Sequence, residues 1–148
     1  MGTSRVRTDS PRRIAGRTGL RRPVVLAADA ARREARAPGR GRSVVLHEFA
    51  HQLDVADGAL DGTPPLPEED RARWIEVCTA HYEAVLAGSG EPLRAYAGEN
   101  PAEFFAVATE AFFARPIELA DQRPDLYDVL RRFYRQDPAT RRRRAADA

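Results

Sequence analysis

The sequence predicts one α+β domain that is predominantly helical, on three observations. Its 148 residues suit a single domain, because domains commonly run to about 100–150 residues. Apolar residues recur at helical spacing in four segments, each bounded by Pro, Gly, Asn or Asp. One stretch of β-branched residues, Pro23-Val24-Val25-Leu26, reads as a strand. Apolar and charged fractions of 43% and 31% lie near soluble globular values and exclude a chain disordered throughout.

In order, residues 1–19 mix Arg, Ser, Thr and Gly without a period and read as a disordered, Arg-rich leader. The domain proper is placed at residues 20–138. Ser43 is positioned to cap a helix whose apolar positions, Val44 to Val55, run on to a stop at Asp57-Gly58. A Gly- and Pro-rich loop spans 58–66. Pro67 with Glu68, Glu69 and Asp70 then suits a first helical turn, and Trp74, Val77, Cys78, His81 and Val85 continue the period to Gly88. A third helix starts at Asn100-Pro101, carries Phe104, Phe105, Val107, Ala108, Ala111 and Phe112, and ends before Pro116. The fourth, Pro124 to Tyr134, sets Leu126, Tyr127, Leu130, Phe133 and Tyr134 on one side. Residues 139–148 read as an Arg-rich tail, frayed from Arg141.

The net charge of +2 hides an uneven distribution. All 24 basic residues are Arg, which points to coding bias rather than chemistry. Residues 1–42 sum to +9, residues 43–130 to −12 and residues 131–148 to +5. The basic ends are read as solvated tails rather than nucleic-acid contacts. Cys78 is the sole cysteine, so an intrachain disulfide and a Cys-rich zinc site are both excluded, and its helical setting beside Trp74 suggests a packed thiol. No apolar run approaches the roughly 18 residues of a membrane span. The N-terminus has no apolar signal core, and Val6 stands where myristoylation needs Ser or Thr. The expectation is a soluble, cytoplasmic protein with no membrane contact.

Residues 47–51 read His-Glu-Phe-Ala-His inside the first helix. Four residues make about one helical turn, so His47 and His51 can aim their imidazoles at one point. Two imidazoles suit zinc, and Glu48 between them is free to take a proton from water at the ion. With 3 His and 11 Glu in the chain, chance predicts only about 0.004 such matches. A catalytic zinc commonly has three protein ligands, which requires a third from downstream. His81 lies on the apolar stripe of the second helix and reads as a packing residue. Glu103 is the better candidate, although Asn100 three positions earlier also makes a capping-box spacing. Spacing alone does not separate a ligand from a cap.

The run Val44-Val45-Leu46-His47-Glu48-Phe49-Ala50-His51-Gln52-Leu53-Asp54, followed by Asn100-Pro101-Ala102-Glu103-Phe104-Phe105 and its continuation to Phe113, resembles the Mlc titration factor A (MtfA) family of zinc peptidases. The likeness runs from about Pro23 to Pro138, and more distantly extends to the catalytic domain of anthrax lethal factor. It implies a zincin-like metallopeptidase domain with zinc on His47, His51 and Glu103, and a general base at Glu48. It also implies a role for Tyr96, seven residues before Glu103, as a phenol donating to the oxyanion; without the resemblance, Tyr96 reads as a surface loop residue. Asp54 and Glu110 share faces with the ligands and either orient an imidazole or stand as solvated charges.

Family members carry a longer region before the active-site helix, whose strands form a small sheet that aligns the substrate. This chain offers Val24 to Leu26 there, so the comparison implies a reduced, N-terminally truncated strand region. The expected partner is a peptide or protein substrate. The alternative implied by the family name is a regulatory protein that sequesters a transcriptional repressor, with the peptidase site latent.

Overall fold

The computed structural model describes residues 44–148, and the described residues are helical with no strand among them. The leader, the Val24–Leu26 strand and the Ser43 cap lie outside the described residues. Six α-helices follow one another: α1 (Val44–Asp54), α2 (Glu68–Leu86), α3 (Pro101–Ala114), α4 (Pro116–Gln122), α5 (Pro124–Tyr134) and α6 (Pro138–Ala146). Short 3-10 turns at Val55–Asp57 and Ala95–Gly98 follow α1 and precede α3.

Helix α3 is the centre of the domain. Eleven of its fourteen residues are buried, from Ala102 through Phe113, which marks a helix enclosed on all sides. Asn100 starts it by accepting the Glu103 N–H at 2.9 Å, and Pro101 occupies the first turn, where its missing donor costs nothing. Helix α1 lies along α3, and its apolar stripe of Leu46, Ala50 and Leu53 is buried in the core. On the other side, Trp74 of α2 meets Phe105 of α3 and Phe133 of α5 edge-on, with ring centroids 5.5 Å apart in both pairs. Such aromatic pairs add about 0.5–1.5 kcal/mol each beyond the area they bury.

The loop between α1 and α2 is tied down at Gly62. Asp54, fully buried at the end of α1, accepts the N–H of Gly62 at 2.8 Å and of Asp61 at 3.3 Å, while Trp74 Nε1 donates to the Gly62 carbonyl at 3.2 Å. Burial pushes the Asp54 carboxyl above its ordinary range, against the pull of those two N–H groups. Gly62 has φ +80°, and a Cβ there would meet the Pro101 carbonyl oxygen at 2.3 Å. The loop therefore braces the start of α3.

Two helices depart from the sequence expectation. Helix α4 occupies the segment between the two prolines at 116 and 124; seven residues offer too little periodicity to announce it, and Leu119 and Pro116 are its buried anchors, with Ile117 and Ala120 packed against the core beside them. The Arg-rich end is not frayed from Arg141: α6 carries helix to Ala146. Asp137 caps it by accepting the Thr140 N–H at 3.2 Å, and Tyr127 Oη donates to Asp137 at 2.6 Å while accepting the Ala139 N–H at 3.0 Å. Arg142 then donates to the carbonyls of Ala114 at 2.8 Å and Phe113 at 3.2 Å. A cation at these last carbonyls of α3 satisfies acceptors that the helix cannot pair and complements its dipole.

Candidate metal centre

The i, i+4 spacing on α1 places both imidazoles on the flank that faces the first turn of α3. His47 Nε2 and His51 Nε2 stand 3.1 Å apart, with the rings nearly perpendicular. Glu103 completes the group: its Oε2 is 2.8 Å from His47 Nε2 and its Oε1 is 3.3 Å from His51 Nε2. The three side chains are 14–17% exposed, so the cluster is sheltered but reachable. Asn100 satisfies the Glu103 backbone donor, while the Glu103 carboxylate turns to the imidazoles rather than back to the cap residue. Backbone cap and side-chain cluster therefore coexist at Glu103, so the capping spacing does not draw its carboxylate away from the imidazoles.

The chemistry of this donor set fits a cation. One atom from each of His47, His51 and Glu103 lies within 4.8 Å of the others, and Glu103 Oε2, for all its 2.8 Å approach to His47 Nε2, is buried without a hydrogen bond, as are His47 Nδ1 and His51 Nδ1. Tetrahedral ligands at about 2.0–2.1 Å from zinc stand about 3.3 Å from one another, close to the separations seen here. Two imidazole nitrogens and a carboxylate oxygen are donors that suit such a borderline ion.

The other expected residues separate into those near the cluster and those outside it. Glu48 is exposed on α1, and no hydrogen bond or ion pair ties it to another described residue. Tyr96, on the Ala95–Gly98 turn, is 43% exposed with its ring centroid 6.1 Å from that of His47. Glu110 sits two helical turns along α3 from Glu103 and presents Oε1 at 3.5 Å from His47 Nδ1, close enough for charge to be felt but without a hydrogen bond, so that Nδ1 has no hydrogen-bond partner. It is not a solvated charge, since its side chain is 5% exposed and paired with Arg94. Asp54 does not orient an imidazole; its carboxylate is committed to the Gly62 loop.

Among the described residues, His81 is buried as expected but carries polar partners, Asp125 Oδ1 at 2.7 Å from Nε2 and an Arg123 nitrogen at 3.5 Å from Nδ1. Asp125 is held below its ordinary range: burial raises its pKa, but the His81 hydrogen bond and charge outweigh it. The Cys78 thiol is pushed up to about 12, mainly by burial and further by Asp125, which fits a packed, unreactive side chain. Arg94 is the participant that sequence reading did not single out. One Arg among 24 gives no signal of its own.

A family described as glucose-regulated metallo-peptidase M90 matches residues 1–135. The chain belongs to that family. Among similar proteins, an uncharacterised protein of Synechocystis is 42% identical over 103 residues, covering 66% of this chain and 38% of its own. Mlc titration factor A of Edwardsiella ictaluri is 40% identical over 108 residues, covering 68% of this chain and 41% of its own. The protein of the same name from Yersinia pestis is 40% identical over 111 residues, with 70% and 41% covered. The chain thus spans about two fifths of the length of the curated relatives that it matches. Membership of the M90 family implies a metal ion, and the His47, His51 and Glu103 group is where the described residues offer one. No described helix is long and apolar enough to cross a membrane.

Proposed function

We propose that the chain is a zinc-dependent peptidase whose metal is held by His47, His51 and Glu103. The observation that carries this reading is the convergence of two imidazole nitrogens and an otherwise unpartnered buried carboxylate oxygen from two helices. Membership of a metallopeptidase family supports it. When bound there, zinc would polarise the scissile carbonyl and make water acidic enough to attack at neutral pH. Glu48, next to His47 and exposed, would act as general base toward the attacking water and pass the proton to the leaving amine. Tyr96 donates its phenolic hydrogen bond to the oxyanion, a role to which its exposure and closeness to His47 are suited. His47 and His51 are anchored by the packing of α1 on α3, so the site is formed before substrate arrives. The reading includes a zincin-like α+β domain. Soluble, cytoplasmic action on peptide or protein substrates is part of the same proposal.

The deciding experiment measures metal content by elemental analysis beside a chelator-sensitive peptide-cleavage assay, on wild type and Glu48→Gln. The expected result is one zinc per chain in both, with cleavage in the wild type alone. Wild type without zinc, or cleavage that survives Glu48→Gln undiminished, overturns the reading.

The relatives' name favours a second reading, in which the chain binds a transcriptional repressor and its peptidase site is latent. Repressor capture unaffected by Glu48→Gln, with no turnover across a peptide library, would favour it over hydrolysis.

A further inference from the structure

We propose that Arg94 is the positioning residue of this centre, holding Glu110 beside His47 by hydrogen bonds and Tyr96 beside His47 by placing its guanidinium over the phenol ring. The inference rests on the metal-centre reading above.

Arg94 immediately precedes the Ala95–Gly98 turn. Its Nε donates to Glu110 Oε2 at 3.2 Å, and its Nη2 donates to Oε2 at 3.1 Å and to Oε1 at 3.4 Å. Both carboxylate oxygens are therefore gripped by one planar fork. A carboxylate as buried as Glu110 needs a counter-charge, and Arg94 supplies it. Thus held, Glu110 turns Oε1 toward His47 Nδ1. With a cation held by Nε2, His51 and Glu103, the hydrogen of His47 would belong on Nδ1, and Glu110 is the carboxylate placed to receive it there. The guanidinium carbon meanwhile lies 5.1 Å from the centre of the Tyr96 ring. The donors to Glu110 and the cation over the Tyr96 ring belong to one guanidinium, so a single side chain performs both tasks. A Lys ammonium offers a point charge without the fork.

The bland alternative is an ion pair that merely fastens the 3-10 turn to α3. That role would move thermal stability and leave metal affinity and ligand field unchanged. The test uses the full chain as wild type, R94K, R94Q, E110Q, R94Q/E110Q and Y96F. Zinc affinity is read by competition with a chromophoric chelator, and coordination by the visible spectrum of the cobalt-loaded protein. R94K and E110Q are each expected to weaken zinc binding by about 10- to 100-fold and to shift the cobalt bands. R94Q/E110Q, which buries no uncompensated charge and so protects the fold, is expected to bind no more weakly than the worse single variant, because both residues act through one contact. Y96F should keep zinc affinity within about twofold, its contribution lying with the oxyanion instead.

Wild-type affinity and spectrum in R94K and in R94Q/E110Q, or losses that add, would overturn the role of Arg94 while leaving the metal centre standing. A wild-type chain that takes up neither zinc nor cobalt removes the metal centre and this inference together.

Discussion

His47 Nε2 and Glu103 Oε2 stand 2.8 Å apart, joining the helix that carries the His-Glu-Phe-Ala-His run to the first turn of the helix most enclosed by the domain. Because each ligand sits on a packed helix, loss of one should remove metal without dismantling the fold. His51→Ala and Glu103→Ala are expected to lose stoichiometric zinc by elemental analysis. They should also lose the thermal upshift that zinc gives the wild type, worth about 2.7 kcal/mol at a hundred times the dissociation constant. An upshift of wild-type size in both variants would contradict the assignment.

Tyr96→Phe removes a hydroxyl from an exposed ring and should leave folding unaltered. Losing one oxyanion donor lowers kcat by about 10²- to 10³-fold. Steady-state kinetics with matched zinc loading should show the fall in kcat with little change in KM. Full kcat in the phenylalanine variant would return Tyr96 to the status of a surface residue.

Gly62→Ala tests the brace between loop and α3. The added Cβ meets backbone oxygen rather than the end of a flexible side chain, and φ is +80°, so neither strain nor clash can relax cheaply. Destabilisation of about 1–3 kcal/mol is expected from backbone strain alone, read by urea melts. Trp74 fluorescence should report it locally, since its Nε1 donates to that same residue. A melt identical to wild type would show that the loop does not brace the helix.

The cap of α6 gives a pH dependence with a definite sign. Asp137 is held below its ordinary value, first by the Tyr127 hydroxyl, with the Thr140 backbone and side chain and Arg131 adding to it against a smaller effect of burial. A depressed folded pKa means that this stabilisation is fully present above the unfolded value of about 3.9 and is lost as pH falls through the folded one. Asp137→Asn keeps an acceptor but abolishes the charge. The stability gap between wild type and variant should be no more than that of a cap, about 0.5–2 kcal/mol, near pH 7 and should shrink as the pH falls below the unfolded value of about 3.9. A gap constant from pH 7 to 2.5 would refute the charge-dependent part.

Helices α1, α2, α3 and α5 were legible because their apolar spacing and their Pro, Gly and Asn boundaries agree, and each local preference is repeated by packing. The pair His47 and His51 was legible for the same reason, since an i, i+4 relation is settled within one helix. Helices α4 and α6 were not. Helix α4 is too short to show a period, and α6 is ordered by reach rather than pattern, through Arg142 at the end of α3 and the Tyr127–Asp137 pair.

The sequence by itself therefore determined the helical framework and two imidazoles on one helix face, because both follow from interactions a few residues apart. The tertiary structure decided which acids meet them. Glu103 and Glu110 reach His47 and Asp54 does not, although all three share a face with a histidine or with each other. Spacing along one helix sets direction, but only the packing of α1 on α3, and the loop that recruits Asp54, sets distance. Arg94 is the extreme case, since it becomes visible only when Glu110 and Tyr96 come within reach of the same guanidinium.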